Sequence, residues 1–452
     1  MPEQKIKMLL ETLARLLRRD AKGNIRNIII KLHPADIASI LNHFEKEERN
    51  YIFDLIQDKK LAAEVLCEID RGVIEELIEE MEPKNVADIF QEMSYDDSKD
   101  IIDHLPEEQA EKILDIMKDK DSREIEELLK YKKDSAGGIM TPDFVALDES
   151  MTIEDAIREV RKESEAEMVF YIYVIDEKNH LVGVVSLRQL ILAPLSKSLR
   201  DIMAKKVYSV RTDTDQEDVS KIVARYNLLA IPVVDEENKL VGIITVDDII
   251  DVIGQEATED IYKMAGTNEE EILFSKSIFK VARFRLPWLI ISLIGGIITG
   301  ALLWQFKITL KELLALAAFI PVVMHMGGNV AIQSSTITVR GLATGRIDAS
   351  VITKHILREM LTGAVMGALC GTIIGIVAHI WHGNFILGII ISISMFFAIT
   401  VASLMGALVP IIFKRLNIDP AIASGPFVTT SNDITGLLIY FSLATVLLRY
   451  LI

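Results

Sequence analysis

Cysteine is scarce in this sequence, and basic side chains are outnumbered by acidic ones. Only two cysteines occur in 452 residues, Cys67 and Cys370, and neither lies in a CxxC or another metal-ligand spacing. No disulfide framework is indicated, which suits a reducing cytosol. Acidic residues outnumber basic ones by 66 to 49, so the net charge is −17. A surface of this sign repels nucleic acid and attracts cations, so we expect a metal ion rather than nucleic acid as a partner.

Motifs of catalysis and secretion are also missing. We recognise no phosphate-cradling Walker loop, no histidine cluster at metal-ligand spacing and no pair of nucleophile and base, so the chain is not expected to be an enzyme. The amino-terminal segment is polar and helical in pattern, without the continuous apolar core of a signal peptide. We therefore expect the chain to start in the cytosol.

Charge is distributed unevenly along the chain. Residues 286–452 carry 9 basic and 5 acidic side chains, which leaves residues 1–285 with 40 basic and 61 acidic ones. The first part has a net charge of −21 and the second of +4. The first part is expected to be soluble and to attract cations, although an acidic surface that only keeps a protein soluble is the alternative reading.

Residues 1–133 have a helical pattern throughout. Apolar residues recur three and four positions apart, as in Ile37, Ile40, Leu41 and Phe44. The stretch HPADIASIL (33–41) resembles EPKNVADIF (82–90), and each has a proline where a helix would begin. This repeat predicts an all-α superhelical amino-terminal domain, an α-solenoid, with a plain helical bundle as the alternative.

A clearer repeat follows. YVIDEKNHLVGVVSLRQLI (173–191) matches PVVDEENKLVGIITVDDII (232–250), each with two strands around a polar turn, a glycine and a helix start. This tandem resembles the CBS-domain pair, which implies two α/β modules over 137–200 and 201–255 and a regulatory ligand in the cleft. Thr245 and Asp248 fit the pattern that holds a ribose, whereas the first repeat has Gln189 instead. ATP is therefore a candidate regulator, at one site.

A run of carboxylates leads out of the second repeat. It overlaps the start of a segment predicted to be a connecting helix (256–285), and its members are Asp247, Asp248, Asp251, Glu256, Glu259 and Asp260. Like charges four residues apart on a helix repel each other. The run is either a solvated acidic face or a place where a cation binds.

Five stretches are long and apolar enough to cross a bilayer, at roughly 286–306, 313–339, 356–380, 385–413 and 420–448. Basic residues cluster before the first stretch, between the second and third, and between the fourth and fifth. By the positive-inside tendency, the amino terminus is cytosolic and the carboxyl terminus exterior. We expect an all-α five-helix transmembrane domain over 286–452, in a multi-pass protein of the cell membrane.

Asp433 lies near the middle of the fifth stretch. An ionised carboxylate there costs about 3 kcal/mol, and the apolar cores contain no Lys or Arg to offset it. Three readings remain: a protonated Asp433 bonded to Asn432 or a threonine, an Asp433 paired with His325, or an Asp433 whose counter-charge is a mobile cation.

The surrounding residues carry a family resemblance. PVVMHMGGNVAIQSSTITVRGLATG (321–345) and DPAIASGPFVTTSNDITGLLIYF (419–441) resemble the membrane core of the MgtE-type magnesium transporters, and the order of domains agrees. His325 departs from the small residue expected before the glycines. The resemblance implies a homodimer with the ion path on its two-fold axis and Asp433 in the pore. It also implies gating by cytosolic Mg²⁺ bound among the carboxylate run, with Asp96 and Asp97 contributing.

Magnesium suits such a pore because it keeps much of its water shell and takes few carboxylates. Two copies of Asp433 would balance one divalent ion, and Asn329, Gln333 and Thr430 are candidates to orient its waters, although helix packing explains them equally well. Glu312 and Glu359 are expected near the membrane interface. The alternatives are another divalent cation, such as Co²⁺ or Mn²⁺, and a membrane-anchored nucleotide sensor that conducts nothing.

Overall fold

The computed structural model describes residues 3–162, 170–267, 278–306, 314–347, 350–423 and 425–448. The chain divides into two compact units, residues 1–253 and 254–452. Each unit is described separately below.

The first unit begins with ten short helices. They are α1 (Glu3–Leu17), α2 (Lys22–Ile29), α3 (Pro34–Leu41), α4 (Lys46–Asp54), α5 (Lys59–Cys67), α6 (Arg71–Glu80), α7 (Pro83–Phe90), α8 (Tyr95–Ile102), α9 (Glu107–Ile116) and α10 (Asp119–Leu128). Helices α3 and α7 both start at a proline, as the repeat predicts. Packing skips one helix at a time, with α3 on α5, α5 on α7 and α7 on α9, and with α4 on α6 in a second row. This is the stacking of an α-solenoid, so the superhelical prediction is confirmed.

Buried Lys99 joins the solenoid to the module that follows it. Its side chain is 2% exposed, and Nζ donates to the backbone oxygen of Gly138 at 2.9 Å. The charge is balanced within the solenoid by Asp100 and Asp103, at 2.9 and 3.4 Å. A buried ammonium requires such partners, so this junction between α8 and the next module is specified by polar as well as apolar contacts.

Two α/β repeats complete the unit. Their elements are β1 (Ala146–Asp148), α11 (Ile153–Val160), β2 (Tyr171–Ile175), β3 (Leu181–Ser186), α12 (Leu187–Leu192), α13 (Leu199–Ile202), β4 (Val210–Arg211), α14 (Gln216–Tyr226), β5 (Ala230–Val234), β6 (Leu240–Thr245) and α15 (Val246–Met264). The sheets have the orders β1-β2-β3 and β4-β5-β6, each with one parallel and one antiparallel pair. Thr141 bridges to Ile243 of the other repeat, which links the two modules. The tandem α/β prediction is confirmed.

Helix α15 runs across the predicted boundary between the second repeat and the connecting helix at 255/256. It ends at Met264, and Gly266, two residues beyond, has a φ of +73° that is accessible to glycine without strain. The Thr267 N–H donates to the Tyr262 oxygen at 3.0 Å, which closes the helix end. Residues 268–277 of the predicted connecting segment lie outside the described residues.

The second unit is helical after α15. Its further helices are α16 (Ile278–Gln305), α17 (Leu314–Ala343), α18 (Ile352–His382), α19 (Phe385–Arg415), α20 (Pro420–Ala423) and α21 (Pro426–Leu448). By length and hydropathy, four helices of the described chain are candidate membrane spans, namely α16 to α19 over Val281–Gln305, Ala315–Ala343, Ile352–His382 and Phe385–Arg415. The fifth predicted stretch is divided into α20 and α21, and its count as a span stays a prediction.

Helix α19 is the centre of this unit and packs against α17, α18 and α21. Its contact with α18 is close because glycines recur every four residues on α18, at 363, 367, 371 and 375. A Cβ at Gly367 would lie 2.7 Å from the Phe396 oxygen. Small residues at this spacing allow two membrane helices to approach backbone to backbone.

Candidate ion sites

Asp433 lies in the first third of α21. Because the helix begins at Pro426, Asp433 is seven residues, or about 10 Å, from its start. The predicted fifth stretch is therefore not one continuous helix, and Asp433 lies about two turns inside α21.

The Asp433 carboxylate has no cationic partner in the described chain. No Lys, Arg or His side chain forms an ion pair with it, and its recorded contact is with the Asn432 amide, which lies 3.5 Å from Oδ1. The side chain is half-buried in the single chain. His325 instead contacts Asn329, with 3.2 Å between their side-chain nitrogens. Of the readings that the sequence left open, pairing with His325 is not found.

Glycines let neighbouring helices approach the residues beside Asp433. A Cβ at Gly327 of α17 would lie 2.6 Å from Asn432 Oδ1, and one at Gly295 of α16 would overlap the Thr430 side chain. The glycines of the α17 motif thus seat buried Asn432 next to the candidate ion site. Thr430 is packed on Gly295.

Two further residues predicted to contact the ion's waters lie on α17. Asn329 and Gln333, together with His325, are exposed in the single chain. Positions 325, 329 and 333 are four residues apart and therefore share one helix face. These three polar residues lie on a helix that packs against α21.

Glu359, expected near the membrane interface, is buried between helices. Only 7% of the surface of Glu359 is exposed. Ser334 Oγ donates to its carboxylate at 2.7 Å, and Ser403 Oγ donates to its backbone oxygen at 2.8 Å. These partners come from α17 and α19, so Glu359 ties three helices together. Glu312 lies outside the described residues.

In the first unit, carboxylates from two domains meet. Asp96 and Asp97 lie in the first turn of α8, and Asp247 and Asp248 lie in the first turn of α15. Burial raises the pKa of Asp96 well above its usual range, and the nearby Asp248 and Asp97 raise it further. Burial raises the pKa of Asp248 to about 7, with contributions from Asp247 and Asp97. Repulsion between these groups shows that α8 and α15 bring their charges close together.

Asp251 belongs to the same cluster. Its pKa is raised by burial and by Asp247 and Asp97. We call Asp96, Asp97, Asp247, Asp248 and Asp251 the acidic cluster. Among the described residues no group of three or more His, Cys, Asp or Glu side chains is arranged to hold a metal ion. An ion that keeps its waters, as Mg²⁺ does, needs few direct carboxylate contacts.

One atom of the acidic cluster is left without a partner. Asp96 Oδ1 is buried and accepts no hydrogen bond from the described chain. A buried acceptor in this state costs about 1–3 kcal/mol. Asp97 differs, since its Oδ2 accepts from Ser94 Oγ at 2.7 Å. The donor set and the unsatisfied oxygen both fit a cation with its water shell.

Thr245 and Asp248, the predicted ribose contacts, bond to each other. The Thr245 hydroxyl donates to Asp248 Oδ2, and the Thr245 N–H donates to the same oxygen at 3.3 Å. Thr245 is 6% exposed. The pair therefore caps the start of α15, and Asp248 is also a member of the acidic cluster. A ribose bound to Asp248 and a cation bound by the cluster would share this carboxylate.

Sequence reasoning missed an ion pair at the other end of α15. Lys263 Nζ lies 2.7 Å from Asp419 Oδ2 and 2.5 Å from Glu259 Oε1. Its pKa is raised by Asp419 and Glu259, although burial acts in the opposite direction. Asp419 immediately precedes α20, so this contact joins α15 to the loop that leads into the Asp433 helix. Glu259, predicted to bind an ion, is thus engaged with Lys263.

The connection between α20 and α21 also packs closely against the end of α15. A Cβ at Gly425 would lie 2.9 Å from the Met264 oxygen, and Gly266 faces Trp288 and Pro426.

Glu256 and Asp260 lie on this part of α15, away from the acidic cluster in the chain. The six carboxylates of the predicted run therefore divide between two places on one helix.

Comparison with known proteins agrees with this architecture. Residues 320–443 match the MgtE family, described as a divalent cation transporter. Residues 32–134 match the MgtE intracellular N domain, and residues 136–196 and 199–255 match CBS domains. A magnesium transporter MgtE of Enterococcus faecalis is 41% identical over 452 residues, which is all of this chain and 98% of that protein.

The chain belongs to the MgtE family. A second relative, the magnesium transporter MgtE of Bacillus subtilis, is 43% identical over 71% of this chain and 71% of its own length. Among solved structures, the cytosolic domain of the Mg²⁺ channel MgtE in complex with ATP matches with a TM-score of 0.52 and 37% identity, over 54% of this chain and 99% of that one. The family assignment made from the two membrane motifs is confirmed.

Proposed function

We propose that this MgtE-family chain moves Mg²⁺ across the cell membrane through a pore that contains Asp433. The observation that carries the proposal is the half-buried Asp433 carboxylate with no cationic partner in the described chain. A charge at this depth needs a partner. A passing divalent cation supplies it, and the names of the full-length relatives support magnesium as that cation.

The pore belongs to a homodimer in this proposal. One Asp433 from each copy supplies two negative charges, which balance one Mg²⁺ ion. The face of α17 with His325, Asn329 and Gln333 is polar and exposed in the single chain, and such a face is tolerated in a membrane where it lines a water-filled path. Both copies would present this face to the axis, where Asn329 and Gln333 accept or donate bonds to the ion's waters.

The proposed topology has five spans, α16 to α19 and α21, with a cytosolic amino terminus and an exterior carboxyl terminus. It is supported by the basic residues between the second and third and between the fourth and fifth stretches. In this topology the acidic cluster faces the cytosol, where it can respond to the concentration of Mg²⁺ that has entered.

Gating follows from the acidic cluster. Without a cation, ionised carboxylates of α8 and α15 repel each other and oppose the contact between the solenoid and the second CBS repeat. Bound Mg²⁺ with its waters offsets the repulsion and satisfies Asp96 Oδ1. The ion therefore binds the closed arrangement better than the open one, which is sufficient to shift the population. The Lys263–Asp419 pair offers the contact through which α15 acts on the Asp433 helix.

ATP is proposed as a modulator bound by the CBS pair. The relative whose cytosolic domain was solved with ATP supports it. Thr245 and Asp248 would hold the ribose, and their mutual hydrogen bond would have to open. ATP and the cation would then influence each other through Asp248, because linkage between two ligands is reciprocal.

The test is Mg²⁺ uptake into proteoliposomes that contain an internal magnesium-sensitive dye. Asp433→Asn keeps the shape and removes the charge, so uptake should fall by at least tenfold, while Asp433→Glu should retain part of it. Size-exclusion chromatography checks that both variants remain folded. Normal uptake by a folded Asp433→Asn protein would refute the pore assignment. Repeating the assay with Co²⁺ and Mn²⁺ tests the alternative cations.

A further inference from the structure

A shallow groove of about 520 Å³ runs along the beginning of α18. Its polar end is formed by Lys354 and Arg358, which are one helical turn apart. Its apolar wall is formed by Leu357, Leu361 and Val365, whose residues are 52%, 55% and 62% exposed. The groove therefore has a cationic end and an apolar end on one helix face.

The cationic end is not neutralised by the described chain. Neither Lys354 nor Arg358 forms an ion pair among the described residues. The nearby carboxylate, Glu359, is turned inward and is bonded to Ser334. His355 faces Thr338, with 2.8 Å between Nε2 and the hydroxyl oxygen. Two like charges thus remain beside an apolar surface, and an anion is the complementary ligand.

In the proposed topology α18 crosses the bilayer, so the groove runs along the bilayer normal. Helix α18 has 31 residues and is about 46 Å long, which exceeds a hydrocarbon core of about 30 Å. Its first two turns, with Lys354 and Arg358, therefore reach the headgroup region. Leu357, Leu361 and Val365 descend from there by about 6 Å per four residues toward the core. The anion thus sits at headgroup depth, and the apolar wall continues to acyl-chain depth.

We propose that this groove binds an anionic phospholipid. The phosphate lies between Lys354 and Arg358, and one acyl chain lies along Leu357, Leu361 and Val365. A second copy of the chain fits less well. A two-fold axis along the membrane normal would place both copies of Lys354 and Arg358 at one depth, where four cations would repel each other. Basic pockets on the cytoplasmic side of membrane helices are suited to acidic headgroups.

The experiment uses the full chain in detergent and lipid micelles that contain either phosphatidylglycerol or phosphatidylcholine, with binding followed by native mass spectrometry. The wild type should prefer phosphatidylglycerol. Each cationic side chain near a charged headgroup contributes about fivefold in affinity, so Lys354→Gln with Arg358→Gln should lose about thirtyfold. The control, Lys414→Gln with Arg415→Gln, removes the same charge from the end of α19 outside the groove and should keep the preference.

Two further arms separate the sources of the anion and the alternative occupant. Leu361→Gln with Val365→Gln should weaken phosphatidylglycerol binding, and excess inorganic phosphate should not displace the lipid, because the acyl chain contributes. Three results would overturn the proposal. They are equal losses of phosphatidylglycerol binding in the groove and control variants, displacement of the lipid by phosphate, and efficient disulfide formation between two Leu361→Cys copies. The single variants Lys354→Gln and Arg358→Gln, each with about a fivefold loss expected, serve if the double variant does not fold.

Discussion

Acidification of the cytosolic side should weaken closure by Mg²⁺, because protons compete with Mg²⁺ for the carboxylates of the acidic cluster. Asp248 has a pKa of about 7, and Mg²⁺ binds its carboxylate only when the group is ionised. At pH 8 about nine tenths of Asp248 is ionised, and at pH 6 about one tenth. Competition by one proton therefore raises the Mg²⁺ concentration for half-maximal closure about tenfold between pH 8 and pH 6. The raised pKa of Asp96 adds to this shift.

In the absence of Mg²⁺, acidification should stabilise the folded chain. The pKa of Asp248 is higher in the folded chain than its ordinary value, so the folded state binds more protons than the unfolded state between pH 4 and pH 7, approximately. Stability without Mg²⁺ should fall as pH rises through this range and become constant above it. Added Mg²⁺ should restore the stability that is lost at high pH, since it replaces the protons.

The assay is inhibition of current in inside-out patches, with Mg²⁺ titrated on the cytosolic side at pH 6, 7 and 8. Asp96→Asn with Asp248→Asn should remove the pH dependence and much of the inhibition. Asp115→Asn removes one charge from the exposed face of α9 and should leave the tenfold shift in place. Half-maximal concentrations that agree within a factor of two at pH 6 and pH 8 in the wild type would contradict the assignment of the acidic cluster as the sensor.

Three further outcomes follow from contacts in the second unit. Gly295→Ala should reduce Mg²⁺ uptake severalfold because its Cβ would overlap Thr430. Gly296→Ala has open space around its Cβ and should transport normally. Equal uptake rates for the two variants would refute the packing argument. Lys263→Met should raise the open-to-closed ratio at saturating Mg²⁺ roughly fivefold, since it breaks a half-buried pair worth about 1 kcal/mol. The control Lys239→Met breaks an exposed pair with Glu237 and should leave the ratio unchanged. Single-channel recording measures both ratios. Glu359→Ala should cost about 1–3 kcal/mol by leaving Ser334 without its acceptor, measured as a lower thermal midpoint than that of Glu359→Gln.

The amino-terminal and CBS parts could be predicted from the sequence because their signals are local. A proline at a helix start acts within one turn, and Pro34 and Pro83 both begin helices as expected. Each CBS hairpin is bounded by a polar turn at Asn179 or Asn238, where φ is positive in the structure. Such features depend on few residues, so a repeated pattern identifies them.

The division of the fifth membrane stretch could not be predicted in the same way. Residues 420–448 are apolar enough for one helix, and hydropathy does not register that Pro420 and Pro426 each start a separate helix. The break coincides with a tertiary contact, since a Cβ at Gly425 would lie 2.9 Å from the oxygen of Met264, more than 150 residues away in the chain. Such a contact is not visible in the local sequence.

Charge pairing explains which site residues the sequence identified. Asp433 could be singled out because the apolar cores of the predicted stretches contain no Lys or Arg, so its lack of a partner is a property of composition. The partners of Glu359 could not be identified from the sequence because Ser334 and Ser403 are uncharged and lie 25 and 44 residues away. The distinction is physical: a carboxylate buried among hydroxyls is satisfied by the fold, whereas Asp433 lacks a cationic partner in the described chain. Of these two carboxylates, Asp433 is therefore the one that we propose for the pore, where a passing cation would be its partner.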